Sequence, residues 1–426
     1  MMDRRTFVQL LSVLLPAGAF AGSAAPALAL SAERFGSNAP GIVDAVGRTV
    51  RVPRSLEPHS VLPLGIAAEQ LVLAASPEHL HSLVSQGDVP KEELDLYPPA
   101  VRSLEHSSGV TIGQGGMRQL DAMEGVQLIV ATFNAEYGSA QMCALEADAI
   151  EQAAGIPVLC LSVHIDDLPL TLRQAGVVFE SRGLAETAAR HIENALSELS
   201  QLARSVSDEQ QKAALCLLGN TSAASFMPQL GGIPAFALAD AKNAVLEPTF
   251  SETALKKAEA QADQIASDAR TQGIDACTNA RKEIAGAYSK IWEPSDGTLS
   301  VQPSLAMGAD AGSMEFSPHR SVEASCIFGT ANDLELLDFP FHADPWRSGL
   351  EQAPRYAIPQ KPFAWLEASG GLMNVLGAQW VASMLYPDAC PWSMDAAVRE
   401  FFQAVFGAEL SGQRVSTLLA NTVSTS

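Results

Sequence analysis

Beyond its first 29 residues, the sequence has no apolar run long enough to cross a bilayer as a helix. It also lacks a Cys-x-x-Cys pair, the Cys/His spacing of a structural zinc site, a Gly-x-Ser-x-Gly elbow and a P-loop. Gly113-Gln114-Gly115-Gly116 is a lone glycine cluster that reads as a loop rather than a phosphate cradle. Basic residues are scarce: 27 Lys and Arg stand against 48 Asp and Glu, for a net charge of −21. A nucleic-acid groove or an anionic membrane patch needs the opposite balance, so no nucleic-acid partner is expected. The eight histidines (His59, His79, His81, His106, His164, His191, His319 and His342) are dispersed, and only His79 and His81 lie close together. A bare metal ion needs several such ligands to converge, so no metal ligands are assigned.

The 426 residues are 47% apolar, enough for two ordinary domains with real cores. Residues 1–29 read as an export signal rather than as fold. Asp3-Arg4-Arg5-Thr6-Phe7 is close to a twin-arginine pattern, an apolar stretch follows from Leu10 to Leu15, and Ala27-Leu28-Ala29 is a cleavage site. An extracytoplasmic or periplasmic protein is expected. The six cysteines (Cys143, Cys160, Cys216, Cys277, Cys326 and Cys390) are scattered singly, three of them within apolar strand-like runs, and read as small core residues.

Hydrophobic periodicity divides the chain. Residues 42–53 alternate around Val46-Gly47-Arg48 as a small hairpin. Strands are expected at 61–64, 80–84, 126–131 and 157–163, with a tight turn at Gly65 and a helix over 66–75. From Leu184 onward, Ala188, Ile192, Leu196, Leu199 and Ala203 form one apolar stripe on an otherwise polar helix. A second α/β run follows, with strands at 213–220, 323–328 and 355–358 and amphipathic helices at 372–385 and 394–406. Residues 251–290 are Ala-rich and polar, as solvated surface helices are. The expected domains are a lobe over 30–165, an interlobe helix over 166–207 and a second lobe over 208–426 that includes the Ala-rich insertion. Alternating strands and helices imply parallel sheets, whose ligand sites lie beyond the carboxyl ends of the strands.

Asp44-Ala45-Val46-Gly47-Arg48-Thr49-Val50-Arg51-Val52-Pro53 resembles the opening of the solute-binding proteins of iron-complex and cobalamin ABC importers. So do Pro359, Pro362-Phe363-Ala364-Trp365, Asn374-Val375-Leu376-Gly377, Gln379-Trp380-Val381-Ala382 and Leu385-Tyr386-Pro387-Asp388, followed by Phe401-Phe402 and Phe406-Gly407. The resemblance covers most of 42–206 and 323–407 and is poor over 221–300. It implies two Rossmann-like α/β lobes with parallel sheets joined by one long rigid helix, a metal chelate such as a ferric siderophore held between them, and an ABC permease with its ATPase subunits as partner. It implies no covalent cofactor, no catalysis and a monomer. A protein binding free zinc or manganese, or an exported enzyme on the same fold, are the alternatives.

Asn134, Glu136 and Tyr137 follow an apolar strand directly, as ligand-facing residues do, and Asn220, Thr221 and Ser222 hold the matching place in the second half. His164 stands at a strand-to-helix junction, where it either faces ligand or satisfies the turn. Trp365 either packs on a planar chelate or holds its loop as a core residue, and Glu367 and Ser369 on the same turn could add polar contacts. In this family each lobe usually presents an acid to the permease. Glu315 is the better candidate on the second lobe, whereas on the first the expected glutamate position holds Gln119, with Asp121 the nearest acid.

Overall fold

The computed structural model describes residues 41–84, 91–104, 112–113, 116–117, 123–134, 140–217, 234–244, 249–250, 252–270, 280, 283, 292–293, 297–301, 314–318, 324–331, 334, 350, 352–366 and 370–420. Its first element is a hairpin whose turn is set by Asp44. Strands β1 (Ile42–Val43) and β2 (Thr49–Val50) pair antiparallel, with Ile42 opposite Val50. The Asp44 carboxylate accepts from the backbone N–H of Val46 at 3.2 Å and of Arg48 at 2.8 Å, and Gly47 takes the positive φ of 82° that the turn requires. Arg48 then reaches Asp148 at 2.8 Å and Glu151 at 2.7 Å, tying the hairpin to the lobe beneath it. Burial pushes the Asp44 carboxyl above its ordinary pKa, against the hydrogen bond from the Arg48 backbone and the pull of its guanidinium.

The first lobe is a parallel sheet. Strand β3 (Val61–Pro63) is followed by helix α1 (Ile66–Ala75), and β3 pairs with β4 (Leu128–Phe133). Helix α2 (Ala140–Ala154) leads to β5 (Val158–Ser162), which pairs with β4 on its other side. The expected strand at 80–84 is reduced to a parallel bridge between Leu80 and Val61. Side chains alternate between two buried faces: Leu128, Val130, Leu159 and Leu161 join the main core, whereas Ile129, Ala131, Val158 and Cys160 join a second cluster with Cys143 and Ile150. Burial of both faces explains why these strands read as continuous apolar runs.

The stretch expected as one interlobe helix over 166–207 is a helical hairpin. A short 3-10 turn (Ile165–Asp167) opens α3 (Leu168–Val178), and the chain then folds back into the 24-residue α4 (Arg182–Ser205). Glu180 at the elbow has φ 56°, and a Cβ at Gly176 would stand 2.4 Å from Ala185 Cβ, so glycine lets the two helices touch. Arg173 spans the pair, with ion pairs to Glu186 at 2.8 Å and Glu193 at 2.6 Å. The buried face of α4 is Ala185, Ala188, Ala189, Ile192, Ala195, Leu199 and Leu202; Leu196 only packs at its margin. Small residues on this face permit close approach by its neighbours.

The second lobe is parallel as well, in the order β9 (Arg355–Ala357), β8 (Cys326–Gly329), β6 (Ala213–Leu217), β7 (Lys242–Asn243). Ala214, Cys216, Cys326 and Phe328 point to the main core, and Leu215, Leu217 and Ile327 to a third cluster. Within the insertion, α5 (Glu252–Arg270) packs against α2 of the first lobe. The C-terminal helices α6 (Met373–Leu385) and α7 (Met394–Phe406) both pack on α4, and an additional helix, α8 (Gly412–Ala420), follows. Ser393 caps α7 by accepting from Ala396 N at 3.3 Å, and Gly407 closes it in the left-handed conformation. The inner faces of both sheets and α4 thus share one apolar core, running from Val61 and Leu71 through Ile192 to Phe328 and Trp380. No helix among the described residues is long and apolar enough to cross a membrane.

Candidate functional site

The carboxyl ends of the first lobe's strands carry a compact group of polar side chains. Helix α1 has the sequence IAAEQLVLAA, and its Glu69 and Gln70 are both buried in an otherwise apolar helix. Glu69 Oε2 accepts from Val84 N at 2.6 Å, while Oε1 has no hydrogen-bond partner among the described residues. Burial pushes this carboxyl from its ordinary 4.5 up to about 8, so it is largely neutral at pH 7. Asn134 follows β4 directly and is buried; His164 follows β5 and is half-buried. His164 opens the 3-10 turn: its carbonyl accepts from Asp167 N at 3.0 Å, and its N–H donates to Ser162 Oγ at 3.3 Å.

The second lobe meets this group through a glycine turn. Gly370 (φ 89°) would place a Cβ 2.8 Å from the Val163 carbonyl and 3.1 Å from Asn134 Nδ2. Gly371 (φ 113°) would place one 2.8 Å from Gln70 Oε1, and Gln70 Oε1 accepts from Met373 N at 3.1 Å. Both conformation and space therefore demand glycine where the lobes cross. Asn134, Val163, Gln70 and the Gly370-Gly371 turn are thus brought together beyond the strand ends, and His164 follows Val163 directly in the chain.

Trp365 is not on an open wall of that group. Its side chain is 0% exposed, its Nε1 donates to Lys361 O at 3.1 Å, and its N–H donates to Pro359 O at 3.0 Å. A Cβ on Gly377 would stand 2.0 Å from the Trp365 carbonyl, so α6 lies directly against this loop. The aromatic face is spent on packing, and the core alternative describes the residue in this conformation. Its neighbour Phe363 makes an edge contact with Tyr97 of the first lobe at 5.8 Å, and Lys361 pairs with Glu93. Arg414 adds an ion pair to Asp95 at 3.0 Å. The Pro-Phe-Ala-Trp motif therefore joins the lobes.

Glu136, Tyr137, Asn220, Thr221, Ser222, Glu367, Ser369, Gln119 and Asp121 lie outside the described residues. Glu315 falls in the strand Met314–Pro318, which pairs antiparallel with Gly297–Val301. His79 and His81 are engaged in turns: His79 meets Ser76 Oγ at 2.6 Å and Leu56 O at 3.2 Å, and His81 meets His59 O at 2.8 Å. No group of three or more His, Cys, Asp or Glu suited to a metal ion occurs among the described residues. Glu69 and Gln70 were missed in the sequence, although two adjacent polar residues inside an apolar helix are a readable signal.

The fold is that of periplasmic solute-binding proteins of ABC transporters. An ABC transporter solute-binding protein from Sulfurospirillum deleyianum superposes with a TM-score of 0.57 at 15% identity, covering 89% of this chain and 98% of that one. A periplasmic solute-binding protein from Veillonella parvula gives 0.51 at 11% identity over 89% and 96%. No protein-family profile and no curated protein matches by sequence.

Proposed function

We propose that the protein is the extracytoplasmic binding component of an ABC importer and captures a metal chelate, a ferric siderophore or related iron complex, between its lobes. The observation that carries this reading is the meeting of the buried amide side chains Gln70 and Asn134 of one lobe with a glycine turn of the other at the strand ends, within a solute-binding fold. Gln70, Asn134 and a neutral Glu69 offer hydrogen bonds without a strong fixed charge, which suits the oxygen-rich periphery of a chelate. His164 stands at the rim, and Glu136, Tyr137, Asn220, Thr221, Ser222, Glu367 and Ser369 complete the proposed ligand set. Trp365, in the Pro-Phe-Ala-Trp motif just before the glycine turn, packs against α6. Glu315, with Gln119 or Asp121 on the first lobe, docks the permease, and the protein works as a monomer without altering its ligand chemically.

The test is native mass spectrometry with metal analysis on protein purified from its own host, followed by titration with ferric siderophores, cobalamin, haem and molybdate. Bound or tightly titrating chelate supports the reading; stoichiometric bare zinc or manganese, or turnover of a substrate, overturns it. With the binding chelate in hand, His164→Ala is expected to weaken affinity about tenfold, about 1.4 kcal/mol.

A further inference from the structure

We infer that Cys143 and Cys160 form a disulfide in the exported protein, cross-linking α2 to the first lobe's sheet. Cys143 lies in the first turn of α2 and Cys160 in β5, and their Sγ atoms stand 4.0 Å apart in the buried second cluster. A disulfide bond is about 2 Å long, so each sulfur needs to move by only about 1 Å, within the reach of a small side-chain rotation. Two independent observations meet here: the geometry comes from the packing of α2 on β5, and an oxidising destination from the amino-terminal Arg4-Arg5 signal. The surrounding anchor is consistent with a fixed junction. Arg48 stands 3.8 Å from Cys160 Sγ and pairs with Glu151 of α2, so the hairpin, α2 and β5 already meet at this point.

The oxidant is an external disulfide, carried by a thiol oxidoreductase or a small thiol compound. Before α2 closes over β5 during folding, one cysteine thiolate attacks this disulfide and releases one external thiol; the second cysteine thiolate then displaces the other half. The protein loses two electrons and two protons, and the external disulfide leaves as two thiols. Cys216, Cys326 and Cys390 remain thiols.

The inference rests on export and not on the identity of the ligand, so its failure leaves the chelate reading standing. The experiment is peptide mapping of the mature protein after unfolding in iodoacetamide without reductant. One sample is purified from an oxidising compartment, and another is refolded in a mixture of oxidised and reduced glutathione. A Cys143–Cys160 linked peptide is expected in both, together with a Tm that falls on dithiothreitol treatment by roughly 5–10 °C. In a Cys143→Ala variant that reductant-dependent shift disappears. Full alkylation of both cysteines in both samples, or pairing of either with another cysteine, overturns the inference.

Discussion

The two lobes meet in two chemically different ways. Along α4 the contact is apolar: Ala188, Ile192 and Leu199 belong to one core with Leu71 of the first lobe and Trp380 and Phe401 of the second. At the strand ends the contact is polar and passes through backbone: Gly370 and Gly371 against Val163 O, Asn134 and Gln70. Separating the first exposes large apolar surface, whereas separating the second gives up hydrogen bonds that water can replace. The first contact therefore belongs to folding, and the second is the one that the proposed ligand exchange would use.

The largest test of this division is Trp365→Ala. As part of the apolar contact, Trp365 is fully buried, and truncation is expected to cost about 3–5 kcal/mol in chemical denaturation. A variant of near-native stability with lost chelate binding would move Trp365 to the polar contact and break the comparison.

Glu69 gives the next effect. Its folded pKa of about 8 lies above the ordinary 4.5, so the folded state holds its proton more tightly than the unfolded chain. The associated stability is complete below about pH 4.5 and is lost as pH rises through 8, by on the order of a few kcal/mol. Glu69→Gln keeps an acceptor for Val84 N and removes the titration. Thermal unfolding at pH 5 and pH 8 should show a smaller pH-induced loss in the variant; equal losses would place the titrating group elsewhere. Gly371→Ala is smaller still, at about 1–3 kcal/mol, because both the positive φ and Gln70 Oε1 oppose a side chain. Denaturation midpoints of Gly371→Ala and wild type decide this, and an unchanged midpoint would show that the polar crossing yields freely.

The difference between the contacts also explains what could be read in advance. The apolar one was legible, because periodicity marks buried faces directly: α1 and α7 begin and end at the expected residues, 66–75 and 394–406. The long helix was half legible. Its apolar period from Leu184 onward marked α4, but the reversal that sets α3 apart from it depends on Gly176 and on the left-handed Glu180, neither of which interrupts a hydrophobic pattern. The candidate site was the least legible part. Gln70 acquires its role from Met373 N, 303 positions away, and local patterning carries no information about such a partner. Trp365 shows the converse, since a recognisable motif carries a side chain that is fully buried.

The smallest expected effect lies at the elbow that replaced the single helix. Arg173 binds Glu186 and Glu193 across α3 and α4, and its hydrogen bonds, with those of Arg190, hold the Glu186 carboxyl down to about 2. A carboxylate with a lowered folded pKa adds stability above its ordinary 4.5 and loses it as pH falls towards 2. These groups are well exposed, so solvent and salt screen them. Arg173→Ala should therefore lower Tm only slightly at pH 7 and low salt, with the difference vanishing in concentrated salt or near pH 2. A large, salt-independent drop would instead make the elbow part of the apolar contact, and the division between the two contacts would no longer follow the chemistry of their surfaces.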